Sequence, residues 1–362
     1  MNTKKILSLL LALSLLAALF AGCVSQPAVS TTAPTTAAPE TTAAPETTAA
    51  PESTESAAGV KTGLSVIASV AGSKNASADG DGQAQANIVL VAVTVDDNGV
   101  IDRCAIDMIQ SKISFSAEGA LVTDPATTFP SKNELGDNYG MKKASSIGAE
   151  WYEQAAAMAA YVEGKTLDEV KGIAVDDSGK AADADLSASV TLSIGDFITG
   201  IEDAVNNAAD LGAQKGDALK LCSVTTMSKS KNASADGDGQ AQAYANVAAI
   251  TLSGETITSC YINAVQATVK FDTTGTITSD TTAPVATKNE LGDNYGLRKA
   301  SSIGAEWYEQ AAAFGAYVTG KTLSEAGSIA VDDSGKAADT DLLATCTMGI
   351  SDFLELIAKA AR

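Results

Sequence analysis

Apolar and polar positions alternate over Asn87–Val95 and Val100–Ile109, on either side of Asp96-Asp97-Asn98-Gly99. That pattern predicts two strands joined by a tight hairpin turn. An opening strand over Gly63–Val70 precedes them, and a further pair, Lys112–Ser116 and Ala120–Thr123, is predicted to turn at Glu118-Gly119. Ser146 then predicts the cap of a helix over Ile147–Glu163, closed by Gly164. Thr166 and Glu169 form the capping box of a short second helix. A strand over Leu186–Leu192 ends in Ser193, and a last helix is predicted over Ile194–Asn206.

The whole pattern then occurs a second time. NASADGDGQAQA stands at Asn75 and Asn232, KNELGDNYG at Lys132 and Lys288, KASSIGAEWYEQAAA at Lys143 and Lys299, and IAVDDSGKAAD at Ile173 and Ile329. A spacing of 156 or 157 residues is too long for a solenoid unit, so each copy is a domain. The second copy opens with a strand over Ala218–Met227, and Thr322 and Glu325 repeat the capping box. Strands first and helices late argue for an α+β chain: two tandem homologous domains, 59–210 and 216–362, each an antiparallel sheet with helices packed on one face.

The N-terminal segment has a different character. Lys4 and Lys5 precede an apolar run from Ile6 to Phe20 that ends in Ala21-Gly22-Cys23. A charged start, an apolar stretch too short to span a bilayer and small residues at a cleavage point read as a secretory signal over 1–22. Small residues directly before a cysteine are the bacterial lipoprotein pattern, which makes Cys23 the lipidated N-terminus. Membrane lipid is then the first expected partner, and the expected location is the extracytoplasmic side of the cell membrane. Residues 23–58, rich in Thr, Ala, Pro and Glu, hold too little apolar surface to offset their ordering entropy and read as a disordered tether.

Charge and composition narrow the chemistry. The formal charge is −20, or −22 once Lys4 and Lys5 are cleaved away (−20 − 2), which repels phosphate backbones and argues against nucleic acid. The chain has no histidine, which removes the commonest general base and metal ligand. Cys104, Cys222, Cys260 and Cys346 show no metal-ligand spacing. A disulfide between Cys222 and Cys346 and a set of buried free thiols are both compatible with the sequence. The carboxylate pair Glu150 and Glu153 is one option for a hydrolase, but nothing selects it.

Two regions in each copy carry candidate chemistry. Lys132–Gln154, nearly identical to Lys288–Gln310, is dense in Gly, Asn, Asp, Lys and aromatic residues and runs into a helix start, which suits a phosphate or carboxylate. Tyr139 and Trp151, with Tyr295 and Trp307 in the second copy, are candidates to stack on a planar ring. The second region places Asp185 six residues before Thr191, with Ser193 next to a helix start; Asp341 and Thr347 repeat the spacing. A hydroxyl there lies beside the positive end of a helix.

This tail resembles the FMN-binding domain family of exported proteins, whose signature reads Asp-x-x-[Ser/Thr]-Gly-Ala-Thr ahead of a helix. Here Ala188-Ser189-Val190 and Ala344-Thr345-Cys346 stand where that signature has Ser-Gly-Ala. The resemblance implies covalent FMN esterified by a flavin transferase to Thr191 and Thr347, with Asp185 and Asp341 as the family aspartates. A second register makes Ser189 and Thr345 the acceptors. The two-domain lipoprotein layout is also similar to flavinylated electron-transfer lipoproteins of Gram-positive bacteria. It implies a redox carrier, fed by a membrane electron donor, rather than an enzyme with its own substrate. The alternatives are a non-redox surface lipoprotein that binds a small molecule or polymer, and a structural or adhesive surface protein.

Overall fold

The structure, a computed structural model, describes residues 58–362. The signal segment, Cys23 and nearly all of the tether lie outside the described residues. Strands β1 (Lys61–Ser69), β2 (Gly82–Val95) and β3 (Ile101–Phe115) form one antiparallel sheet in the order β1-β2-β3. Helices α1 (Lys132–Leu135), α2 (Trp151–Val162), α3 (Leu167–Lys171), α4 (Ala184–Ser187) and α5 (Gly195–Asn206) follow. The second copy repeats this as β4 (Ala218–Thr226), β5 (Gly239–Ser253) and β6 (Thr256–Phe271), then α6 (Lys288–Leu291), α7 (Trp307–Val318), α8 (Leu323–Gly327), α9 (Thr340–Leu343) and α10 (Ser351–Ala360). Among the described residues no helix is long and apolar enough to cross a membrane. The α+β reading, with one antiparallel sheet per copy and helices on one face, is what the structure has.

Both faces of each sheet are covered, and by different things. Along β2, Val89, Val91, Val93 and Val95 pack on the helices of their own copy with Trp151, Met158, Phe197 and Ile201. Ile88, Leu90 and Ala92 point the other way, into a core shared with Ala243, Ala245, Val247 and Ala249 of β5. The layers therefore run helix, sheet, sheet, helix. Residues 88–95 are accordingly a nearly continuous apolar run, not the apolar–polar alternation read over Asn87–Val95 in the sequence, because neither face of β2 is wet there.

The contacts between copies are reciprocal. Ala76 N donates to Gly275 O at 2.9 Å, and Ala233 N to Gly119 O at 2.8 Å. Asn232 Oδ1 accepts from Leu121 N, and Asn75 Oδ1 from Ile277 N, both at 2.8 Å. Residue i meeting j while j's equivalent meets i's is the logic of a two-fold dimer, built here within one chain. The repeated NASADG segment thus holds the two copies together.

Three predicted elements change. The strand pair at Lys112–Ser116 and Ala120–Thr123 is present in part. The chain turns at Glu118-Gly119 as expected, with Ser116 N donating to Ala120 O at 2.8 Å and Val122 N to Ser114 O at 2.9 Å. The first limb, however, is the end of β3, and the returning limb keeps a single bridge, Phe115 to Leu121. The strand expected over Leu186–Leu192 is instead α4 followed by a turn. Asp183 accepts from the N–H groups of Asp185 and Leu186, so the chain enters a helical turn before any ladder forms. The helix expected over Ile147–Glu163 begins at Trp151, because Gly148 sits at φ +65° and cannot continue a helix. Ser146 is exposed, and the cap is Glu150.

Candidate functional site

Glu150 organises the segment between α1 and α2. Its buried carboxylate accepts from Met141 N at 2.8 Å and Lys142 N at 2.9 Å, while its own N–H donates to Glu153 Oε2 at 2.7 Å. Glu306 repeats this with Leu297 N, Arg298 N and Glu309. Burial works against the Glu306 charge, but the N–H groups of Arg298, Leu297 and Trp307 outweigh it and hold the carboxyl below its usual range. Glu150 and Glu153, the carboxylate pair noted for hydrolysis, are therefore committed to holding a loop and starting a helix.

One turn into α2, Gln154 reaches the second region. It is fully buried, and its Oε1 accepts from both Thr191 N, at 2.8 Å, and Thr191 Oγ1, at 3.1 Å. Its Nε2 donates to Ser145 Oγ and Ala149 O, both at 3.2 Å, which fixes the amide's orientation. Gln310 holds Thr347 in the same way, at 2.9 and 3.2 Å. The two regions picked out by sequence thus meet through one buried glutamine in each copy. Both threonines stay half-buried, four residues ahead of α5 or α10, whose starts have no side-chain cap. An uncapped first turn beside a hydroxyl favours a negative group there.

The remaining sequence candidates fall in varied places. Asp185 and Asp341 are exposed in the first turns of α4 and α9, each donating its N–H to the capping Asp183 or Asp339. Ser193 is exposed and does not cap α5; Ile194 occupies that position. The hydroxyls of Ser189 and Thr345 each donate to the carbonyl of Leu186 or Leu342 at 3.2 Å.

Trp151 and Trp307 are not open stacking platforms. Each is buried and packs edge-on against a phenylalanine of the last helix: Phe197 at 6.0 Å and 82°, Phe353 at 6.1 Å and 81°. Tyr139 and Tyr295 are half-buried and turn their faces to a lysine.

That lysine was not singled out by the sequence. Lys132, at 7% exposure, places Nζ 4.6 Å from the Tyr139 ring and 5.0 Å from Trp151. Lys288, at 4%, lies 4.5, 4.6 and 4.7 Å from Tyr244, Tyr295 and Trp307, and donates to Tyr244 Oη at 2.7 Å. Burial pushes the Lys288 amine down to about 7, with Asp352 opposing and Lys229 adding to the effect. The first copy has Asn87 where Tyr244 stands and Val89 where Asn246 stands, so its cage is more open. A signal was available in sequence: an identical Lys opening KNELGDNYG in both copies, directly before aromatic residues.

All four described cysteines are free thiols, so the disulfide alternative is not adopted. Burial raises the Cys222 and Cys260 thiols to about 12, which leaves them protonated and unreactive at neutral pH. Away from the threonine region, a cavity of about 640 Å³ lies between residues 209–211, β6 and α7, lined by Tyr261, Tyr308, Gly315 and Thr319.

The site suits the phosphate end of an esterified flavin. Ser189 occupies the place of the signature glycine, yet its turn closes without one: its side chain is exposed, and Thr191 keeps its hydroxyl half-buried on Gln154. The buried tryptophans do not suit the ring. Comparison with family models, with curated proteins and with solved structures finds no match to this chain.

Proposed function

We propose that this chain is a membrane-anchored, extracytoplasmic redox carrier holding FMN on Thr191 and Thr347. The carrying observation is the duplicated arrangement in which a fully buried glutamine holds a half-buried threonine hydroxyl ahead of an uncapped helix. Bound flavin supplies reversible electron uptake, and the protein contributes position, exposure and charge. Esterification forms a bond from threonine Oγ1 to the flavin phosphorus and breaks that phosphorus's bond to the nucleotide leaving group of an activated flavin-dinucleotide donor, with the hydroxyl proton released. Gln154 and Gln310 then still hold the residue through its backbone N–H. Tyr139 and Tyr295 are equivalent half-buried aromatic residues beside the caged lysine of each copy, and they remain the candidates for contact with the ring. Lipid on Cys23 and the tether would keep both copies near a membrane electron donor, and a flavin transferase is the partner that loads them.

Protein purified from its own host and run on a denaturing gel tests this reading. Flavin fluorescence that stays with the unfolded chain is the expected result; a colourless band contradicts it. A second reading, a non-redox lipoprotein that binds a small molecule, draws on the 640 Å³ cavity and predicts ligand binding sensitive to Tyr308→Ala in a colourless protein.

A further inference from the structure

Lysine is almost never fully buried without a partner. Here the same lysine is more than nine-tenths buried in both copies, and no carboxylate lies within ion-pair distance of it among the described residues. Lys132 Nζ makes no hydrogen bond to any described residue. It is also not among the sealed polar atoms that lack a partner, so the ammonium still meets solvent. Lys288 makes one hydrogen bond, to Tyr244 Oη, which leaves two of its three donors unused.

The aromatic rings do not settle this charge. Each cation–π contact contributes about 0.5–2 kcal/mol, against several kcal/mol for removing an ammonium from water. The remaining penalty is visible at Lys288, whose amine is held near neutrality although three rings surround it. The other ionisable groups around it are Asp352 at the start of α10, Lys229, and the Tyr244 and Tyr295 hydroxyls. Burial raises the Asp352 carboxyl above its usual range; Asn246 Nδ2 donates to it at 2.9 Å, and it lies beyond ion-pair distance of Lys288. An arriving anion would supply the missing partner.

We propose that Lys132 and Lys288 are oxyanion-receiving residues, one per copy, each taking a phosphate-type group on the ammonium beside its aromatic cage. This stands on the cage geometry alone and holds whatever either threonine carries.

The test uses the full chain made in a host without flavin transferase, titrated calorimetrically with inorganic sulfate, a tetrahedral dianion across the pH range used. FMN against riboflavin separates a phosphate carried on a ligand from a free anion. Wild type should bind sulfate at two sites. Lys132→Met and Lys288→Met, which keep an unbranched apolar stem in the cage, should each remove one site and leave the far-ultraviolet circular dichroism spectrum unchanged. Affinity at the Lys288 site should fall about twentyfold from pH 6.5 to pH 8.5, since an amine titrating near 7 is mostly neutral at the higher pH. FMN binding that riboflavin does not match, lost in the double variant, supports the ligand-borne form. If neither sulfate nor FMN binds wild type more tightly than the double variant, the proposal is overturned, even if flavin is found on the native chain. Conversely, sulfate binding survives if the native chain proves to carry no flavin.

Discussion

Phe115 and Phe271 stack ring on ring, centroids 4.2 Å apart and planes 4° from parallel. They are equivalent residues at the ends of β3 and β6, so the local two-fold relation between copies passes between them. Gly82 and Gly239 make room for the pair: a Cβ at either position would collide with the edge of its own copy's ring. Two sheets that each bury one face on their own helices and the other on their partner form one core.

Phe115→Ala should therefore destabilise both copies together. The ring is fully buried, and its loss should cost about 3–5 kcal/mol. Calorimetry should show one unfolding transition at lower temperature; two separated transitions would show that the copies fold independently.

Asp107 and Asn263 offer a cleaner comparison, because they are the same position in the two copies. Asp107 Oδ1 accepts from Met108 N at 2.7 Å and Asn133 N at 3.0 Å, as Asn263 Oδ1 accepts from Ala264 N and Asn289 N. Burial pushes the Asp107 carboxyl up to about 6, against the hydrogen bonds from Ser131, Asn133 and Met108. A carboxyl raised above its unfolded value binds its proton more tightly in the native state. Its contribution is full below about pH 4 and is lost as pH rises through 6. Asp107→Asn should then stabilise the chain by about 2 kcal/mol at pH 7.5 and not at all at pH 4. Urea midpoints at the two pH values check this.

Lys288 has the opposite sign. Its amine is depressed on folding, so the charged form is penalised at and below pH 7, and the penalty fades as pH rises towards 10.5. In anion-free buffer, Lys288→Met should raise stability by an amount on the order of 4 kcal/mol at pH 6, shrinking steadily to pH 9.5. A pH-independent change in thermal midpoint would contradict the buried-charge account.

How much of this was legible in the sequence depends on distance along the chain. The turn at Asn98-Gly99 and the boxes Thr166–Glu169 and Thr322–Glu325 are decided within a few residues, and each appears where read. Asp183 also acts locally, but the apolar spacing of Leu186, Val190 and Ile194 fits both a strand and a helical turn, and the cap decides for the turn. Gln154 is different. Nothing in its own segment distinguishes it from a surface residue of an amphipathic helix; its partner, Thr191, is 37 residues away. The Lys288 cage assembles residues from β5, α6, the loop after it and α7, so its burial follows only from the fold.

Gln154→Ala should separate the glutamine's role from that of the threonine. Removing it leaves the Thr191 N–H without its acceptor, at about 1–3 kcal/mol. Flavin loading on the first copy should fall while the second copy, held by Gln310, stays loaded. Flavin absorbance per chain should drop to about half; full loading would show that the glutamine merely packs.

The most direct test of the central claim is peptide mapping by mass spectrometry of the chain taken from its own host. The account predicts a covalent FMN increment on the peptides containing Thr191 and Thr347, each absent after substitution of its own threonine by alanine. Unmodified peptides at both positions, or an increment that persists after both substitutions, would contradict it.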